Sequence, residues 1–142
     1  MTARKTGNRS SDVERLVADS DSSSFAKLLG LKTIEAHRGY AVSSLKLSKK
    51  KHVNFQGGTH GAVLFAVADH ACGICGNSME RKAVLLNLSM NYVSSPALGS
   101  IIEAEARMVH EGKTTGTMVI SVKDRDGKLL AHCQTTIYFL SA

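Results

Sequence analysis

Seven residues near the middle of the chain have types and spacing suited to polarising a carbonyl group: His52, Asn54, Gly57, Gly58, His60, Gly61 and Asp69. All but the last precede an apolar segment starting at Ala62 that reads as a helix, so they gather at its N-terminus. Unpaired N–H groups and a partial positive charge at such an end stabilise a developing oxyanion. Glycines let a carbonyl approach those donors closely. Gly57 and Gly58 also have a plainer reading, as the turn leading the chain into the helix, and glycines alone favour it.

Asp69 shifts the balance toward chemistry. It sits about two and a half turns into an otherwise apolar helix, and no Lys or Arg occurs between Lys51 and Arg81 to pair with it locally. A lone buried carboxylate costs several kcal/mol. Its helical neighbours are Phe65, Ala66, Cys72 and Gly73, extending to Ala62 and Gly76, so a face of mostly small residues surrounds the acid. A substrate or another backbone fits against such a face. On the residues alone two readings stay open: a reactive carboxylate, or one neutralised by a distant Arg or a partner subunit.

The elements that position these residues follow from periodicity. From about Thr59 to Asn77 the chain is apolar all round, without Pro and rich in Ala, which predicts a buried helix. Ser23 or Ser24 caps a short helix through Leu29, stopped by Gly30. Strands are expected at Leu31 to Ala36 and Tyr40 to Leu47, turning at Arg38-Gly39, and the loop Ser48 to Gly58 follows. Four longer strands come after the helix. The first puts Val84, Leu86, Leu88, Met90 and Tyr92 on one face and Asn87, Ser89 and Asn91 on the other. The second runs near Ile101 to His110. The third aligns Met118, Ile120 and Val122; the fourth aligns Leu129, Ala131, Cys133, Thr135, Ile137 and Phe139, with Asp126-Gly127 as the hairpin turn between them. Many antiparallel strands with one long helix to cover them imply an α+β fold, a curved sheet wrapped around that helix.

A chain of 142 residues, 43% hydrophobic and 21% charged, suits one globular domain. Residues 23–142 are assigned to it, and residues 1–22, rich in Ser, Asp, Arg and Lys, to an extension that frays or forms a marginal helix around Asp12 to Val17. No apolar run exceeds Ala62 to Ala68, so no membrane-spanning helix is expected. The N-terminal residues lack the apolar stretch of a secretory signal, and the odd cysteine count (72, 75 and 133) fits reduced thiols, so cytoplasm is the expected location.

The span His52-Val53-Asn54-Phe55-Gln56-Gly57-Gly58-Thr59-His60-Gly61-Ala62, followed by Asp69, resembles the H-x-N-x-x-G-x-x-H-G-G stretch and helix acid of hotdog-fold acyl-CoA thioesterases of the phenylacetate-degradation type. The likeness covers roughly residues 25 to 140 and includes Tyr92-Val93-Ser94-Ser95-Pro96, Gly112-Lys113 and the Asp126-Gly127 hairpin. It implies a hotdog fold and hydrolysis of acyl-CoA thioesters. By the same resemblance, Asp69 is the nucleophile or general base, Asn54 positions substrate or water, the Gly61 N–H binds the carbonyl oxygen and His60 shapes that turn. His52, Gly57, Asn87, Tyr92, Ser94 and Lys113 become candidate substrate contacts, and Phe55, Phe65 and Met90 candidate acyl-pocket walls, aromatic or aliphatic. The site is expected across a homodimer interface in which two sheets join, with a homotetramer as the further assembly. No metal or cofactor is called for, coenzyme A being part of the substrate. The chain departs from the pattern at Ala62, the second glycine of H-G-G, where a methyl is added but the N–H kept. At the positions where some relatives carry a serine or threonine that aids the water stand Leu85 and Leu86, with Asn87 next.

Other chemistries fit less well. Cys72-Gly-Ile-Cys75 falls inside the helix, with no second ligand pair for zinc and no strand ahead of it for a redox motif. The net charge of +6 attracts polyanions, and Lys49, Lys50 and Lys51 form a basic run before the site. With aromatics at 5% and no Trp, however, nucleic acid is not the expected partner; the phosphates of coenzyme A are. A non-catalytic acyl-CoA-binding protein and a dehydratase using His60 remain the alternatives.

Overall fold

The computed structural model describes residues 9–141. The elements are α1 (Arg9–Asp21), α2 (Ser24–Leu29), β1 (Lys32–His37), β2 (Tyr40–Lys46), α3 (Gly61–Asn77), β3 (Ala83–Tyr92), β4 (Ile101–Glu111), β5 (Thr115–Asp124) and β6 (Leu129–Phe139). The strands form one sheet in the order β1-β2-β4-β5-β6-β3, with every neighbouring pair antiparallel. Helix α3 touches all six strands, which is how a twisted sheet wraps a single helix.

The core is the meeting of α3 with the inward rows of the sheet. Ala41, Ser43 and Leu45 of β2, Ile102, Ala104 and Ala106 of β4, and Met118, Ile120 and Val122 of β5 are all buried. On β6 the expected row Ala131, Cys133, Thr135, Ile137 and Phe139 is buried, while Leu129 is half-buried. The hairpin turns fall where expected, with Gly39 and Gly127 at positive φ of 73° and 84°.

Two expectations need correcting. The regular alternation of β3 is broken by a bulge: Leu85 pairs with Ile137 and Asn87 with Thr136, leaving Leu86 as the extra residue. Leu88 and Met90 face the core beyond the bulge, whereas Val84, Leu86 and Tyr92 are exposed. In the N-terminal extension, the marginal helix becomes the longer α1, because Leu16 and Val17 pack against the core and Asp21 hydrogen-bonds to β1. Residues 1–8 of that extension lie outside the described residues.

Candidate active site

The loop between β2 and α3 is folded by its own polar side chains. His52 is buried; its Nδ1 accepts from Ser48 N at 2.9 Å and its Nε2 donates to the Leu29 carbonyl at 3.0 Å. Both ring nitrogens are thus spent on backbone, so the structure makes His52 a pin between the loop and α2 rather than a substrate contact. Asn54 Oδ1 accepts from Gln56 N and Gly58 N at 3.0 and 3.1 Å, a turn closed by the side chain, which leaves Nδ2 as its outward donor. Gly57 sits at φ +81° with open space where a Cβ would be, so conformation alone requires glycine there.

His60 caps α3. Its Nδ1 accepts from Ala62 N at 3.1 Å, so the Ala62 N–H, expected to stay available beside a carbonyl, is occupied by the cap. The Gly61 N–H meets no acceptor among the described residues, which makes it the open donor of this helix start. The Tyr92 ring lies against Gly61, 3.3 Å from where a Cβ would stand, and its hydroxyl donates to the Gly61 carbonyl at 3.1 Å. A cavity of about 320 Å³ opens here, lined by Thr59, Gly61, Leu64, Tyr92, Val93 and Pro96 among others. Ser94 also lines it, but its hydroxyl donates to the Leu129 carbonyl.

Asp69 follows on the same helix. The expected enclosure of its carboxylate is corrected: Ala62, Phe65, Asp69 and Gly73 form an exposed stripe, while Ala66, Cys72 and Gly76 turn into the core. The sheet covers only part of α3, and this stripe is the remainder. Among the described residues no hydrogen bond or ion pair holds the Asp69 carboxylate. Partial desolvation pushes it above the usual carboxylate range, with the charge of His70 pulling weakly the other way.

Asn87 lies exposed beside the β3 bulge, level with this part of the helix. Thr135 Oγ1 donates to the Asn87 carbonyl at 2.7 Å and lies 3.8 Å from Cys72 Sγ, one turn beyond Asp69. Lys113 is not brought to the site within one chain. Its carbonyl accepts from Arg81 Nη1 past the C-terminal end of α3, about 24 Å of helix away from Gly61. The Cys72, Cys75 and Cys133 thiols are buried, which pushes them up to about 12, 12 and 11 and keeps them protonated. Sequence reading missed the contact of His70 with Asp21, since a pair 49 residues apart carries no spacing signal. It missed the Leu86 bulge as well, though Leu85-Leu86 was marked as a departure.

Comparison with known proteins identifies the family and the fold. Residues 56–131 match the family described as the thioesterase superfamily. The 1,4-dihydroxy-2-naphthoyl-CoA hydrolase of Listeria monocytogenes is 31% identical over 112 residues, covering 77% of this chain and 89% of that one. The structure of the Escherichia coli PaaI protein, from the phenylacetic acid degradation operon, superposes with a TM-score of 0.84 at 25% identity, covering 93% of this chain and 96% of that one. A Streptococcus mutans protein solved with acetyl-CoA superposes with a TM-score of 0.73 at 25% identity, covering 78% and 89% of the two chains.

Proposed function

We propose that this chain, which belongs to the thioesterase superfamily, has the hotdog fold and is a thioester hydrolase, cleaves acyl-CoA esters with Asp69 as its reactive acid. The observation that carries the reading is the presence on one helix of an open donor at Gly61 and, on its exposed stripe, a carboxylate at Asp69 that no hydrogen bond or ion pair among the described residues holds. The thioester oxygen would take the Gly61 N–H, and the positive end of α3 would stabilise the tetrahedral oxyanion. Asp69 would attack the carbonyl carbon, giving a mixed anhydride that water then opens, or would take a proton from the attacking water. Either route breaks the same C–S bond, releases CoA as a thiolate and yields the free acid. Neither needs a metal or a cofactor.

Eight residues separate Gly61 from Asp69, about 12 Å along the helix, whereas a reacting carbon must lie about 3 Å from both groups. One chain therefore cannot supply both to one thioester. Two copies related by a two-fold axis can, Gly61 of one facing Asp69 of the other, and β3 offers the open sheet edge along which they would join. Asn54, through Nδ2, and Asn87 would border the carbonyl and water, Tyr92 and Ser94 the pantetheine path. Lys49 to Lys51, and Lys113 from the second copy, would draw the CoA phosphates. Pairing of such dimers gives the proposed tetramer. Three free buried thiols suit a reducing compartment, and no helix among the described residues is long and apolar enough to cross a membrane; we place the protein in the cytoplasm.

The test is thiol release from a panel of short, long-chain and aromatic acyl-CoA esters by wild type and Asp69→Asn. At least about a 10²-fold loss in kcat with an unchanged fold is expected. Because a protonated Asp69 cannot act, wild-type activity falls with falling pH, and its acid limb lies above the ordinary value of 3.8 for the group. Full turnover in Asp69→Asn would sink the assignment; CoA esters that raise the Tm without being cleaved would favour a binding protein.

A further inference from the structure

The open donor at Gly61 sits on the residue type with the loosest backbone, a poor mount for a group that must be aimed. The backbone around it is held. His60 N donates to the His52 carbonyl at 2.7 Å, the His60 carbonyl accepts from Val63 N at 3.0 Å, and Ala62 N donates to His60 Nδ1 at 3.1 Å. The Gly61 carbonyl accepts from the Tyr92 hydroxyl at 3.1 Å. The peptide joining Gly61 to Ala62 is therefore gripped at both ends, its oxygen by Tyr92 and its N–H by His60. The Gly61 N–H lies one Cα away from that fixed plane.

Three of these bonds are local, closed within residues 52–63. The fourth comes from the sheet. Tyr92 is the last residue of β3, paired with Ala131 of β6, and the next amide, Val93 N, donates to the Leu130 carbonyl at 2.8 Å. Leu130 and Ala131 are buried, so the hydroxyl is delivered from a fixed strand end. The ring also accounts for the glycine. Gly61 is helical and has no positive φ, so its conformation suits any residue. A Cβ there, however, would stand 3.3 Å from ring atoms Cε1 and Cζ and 3.4 Å from the hydroxyl oxygen. A methyl group that close pushes the ring aside, and the hydroxyl with it.

We propose that Tyr92 is a positioning residue for the Gly61 donor: its hydroxyl clamps the helix start from the sheet, and its ring reserves position 61 for glycine. This rests on the reading of the Gly61 N–H as the donor to the thioester carbonyl. An oxyanion donor acts by being in place before charge develops. One left to wander must be brought back at the moment of reaction, which raises the barrier without weakening ground-state binding. The Tyr92 hydroxyl is spent on the protein, so only the ring borders the pantetheine path.

Thiol release from the same acyl-CoA panel by Tyr92→Phe, Gly61→Ala and the double variant tests the clamp in turnover. Amide relaxation by NMR on the full chain, free of substrate, tests it without turnover. Tyr92→Phe keeps the ring and removes the hydroxyl. It is expected to lower kcat about ten-fold at unchanged KM, short of the roughly 10²- to 10³-fold cost of losing an oxyanion donor outright. Gly61→Ala keeps the N–H but displaces the hydroxyl, so kcat should fall by at least as much. Adding Tyr92→Phe to it should then cost no more than about two-fold further, because both changes break the same bond. In the relaxation data Tyr92→Phe should lower the order of the Gly61 and Ala62 amides and leave the second half of α3 as in wild type. A raised KM at unchanged kcat in Tyr92→Phe would make the hydroxyl a substrate contact, and losses that multiply in the double variant would mean that the substrate, rather than the ring, needs the glycine. Either result, or amides as ordered as in wild type, overturns the proposal. A fully active Asp69→Asn would fail the hydrolytic reading instead, and the relaxation data would still decide whether Tyr92 holds Gly61.

Discussion

The two edges of the sheet are built alike and finished differently. Each edge strand carries one bulge, and each bulge presents one aliphatic side chain: Ile34 in β1, 56% exposed, and Leu86 in β3, 58% exposed. Around Ile34 the edge is closed. Helix α1 lies along β1, Asp21 takes the Thr33 N–H that an edge strand would otherwise leave open, and Lys32, Glu35 and His37 punctuate the strand with charge. Around Leu86 none of the described residues closes it. The ten residues Ala83–Tyr92 contain no charged side chain, and Val84, Leu86 and Tyr92 stand exposed with Val93 just beyond. Proteins protect bare edges with charge, bulges or cover. Among the described residues β1 has all three and β3 only the bulge, so β1 is finished within the chain, whereas β3 is the edge that the proposed dimer would use.

The largest effect should come from charging the open edge. Leu86→Lys would set two lysines near each other across a two-fold axis, with no acid on the strand to receive them. Sedimentation is expected to show a monomer with unchanged far-ultraviolet circular dichroism, and kcat/KM should fall at least about 10²-fold because Gly61 and Asp69 no longer meet. A monomer that keeps full activity would break the comparison and the two-chain site together.

How far each edge could be read from sequence follows from the same physics. The inner rows of β5 and β6 were legible because a regular strand buries every second residue, whereas for β4 only the approximate span was read. The β3 row was misread ahead of the bulge: Leu88 and Met90 face the core as expected, but one inserted residue exchanges the faces, so Ala83 rather than Val84 packs inward, and a bulge has no composition of its own. Helix α1 was underestimated because its residues are polar by local composition; its stability comes from Leu16 and Val17 on the core and from Asp21 on Thr33 and His70, all contacts distant in sequence. At the site, the Gly61 start and Asp69 were legible as a pattern of residue types. The work of His52 was not, because a buried histidine and a ligand-binding one share the same letter until both ring nitrogens are followed to their partners.

The closed edge should respond in stability rather than assembly. Thr33→Val removes the hydroxyl bond to Asp21 at little change of shape, and a cost of about 1 kcal/mol is expected, below the full charged-group value because solvent screens the pair. The folded-state pKa of Asp21 is lowered, so the stability it adds is present above its ordinary value of 3.8 and is lost as pH falls through the lower folded value. Urea melts should therefore show the full Thr33→Val deficit at neutral pH and a narrowing deficit only below 3.8. The sedimentation coefficient should not change. A deficit that is constant down to acid pH would detach Asp21 from the closure of this edge.

The smallest effect, and the sharpest control, is Ile34→Lys. It makes the same chemical change as Leu86→Lys, at a bulge, on an edge strand and at almost the same exposure. If exposed apolar area alone marked an interface, the two substitutions would act alike. The β1 edge differs in having its donor at Thr33 taken by Asp21 and acids within reach, Glu35 on the strand and Asp12 and Glu14 across the groove from α1, so a lysine there meets opposite charge instead of its own image. Stability within about 0.5 kcal/mol of wild type is expected, with assembly and thiol release unchanged. Dissociation of the dimer by Ile34→Lys would mean that copies also meet through β1, and that the closure by α1 is part of an interface rather than a substitute for one.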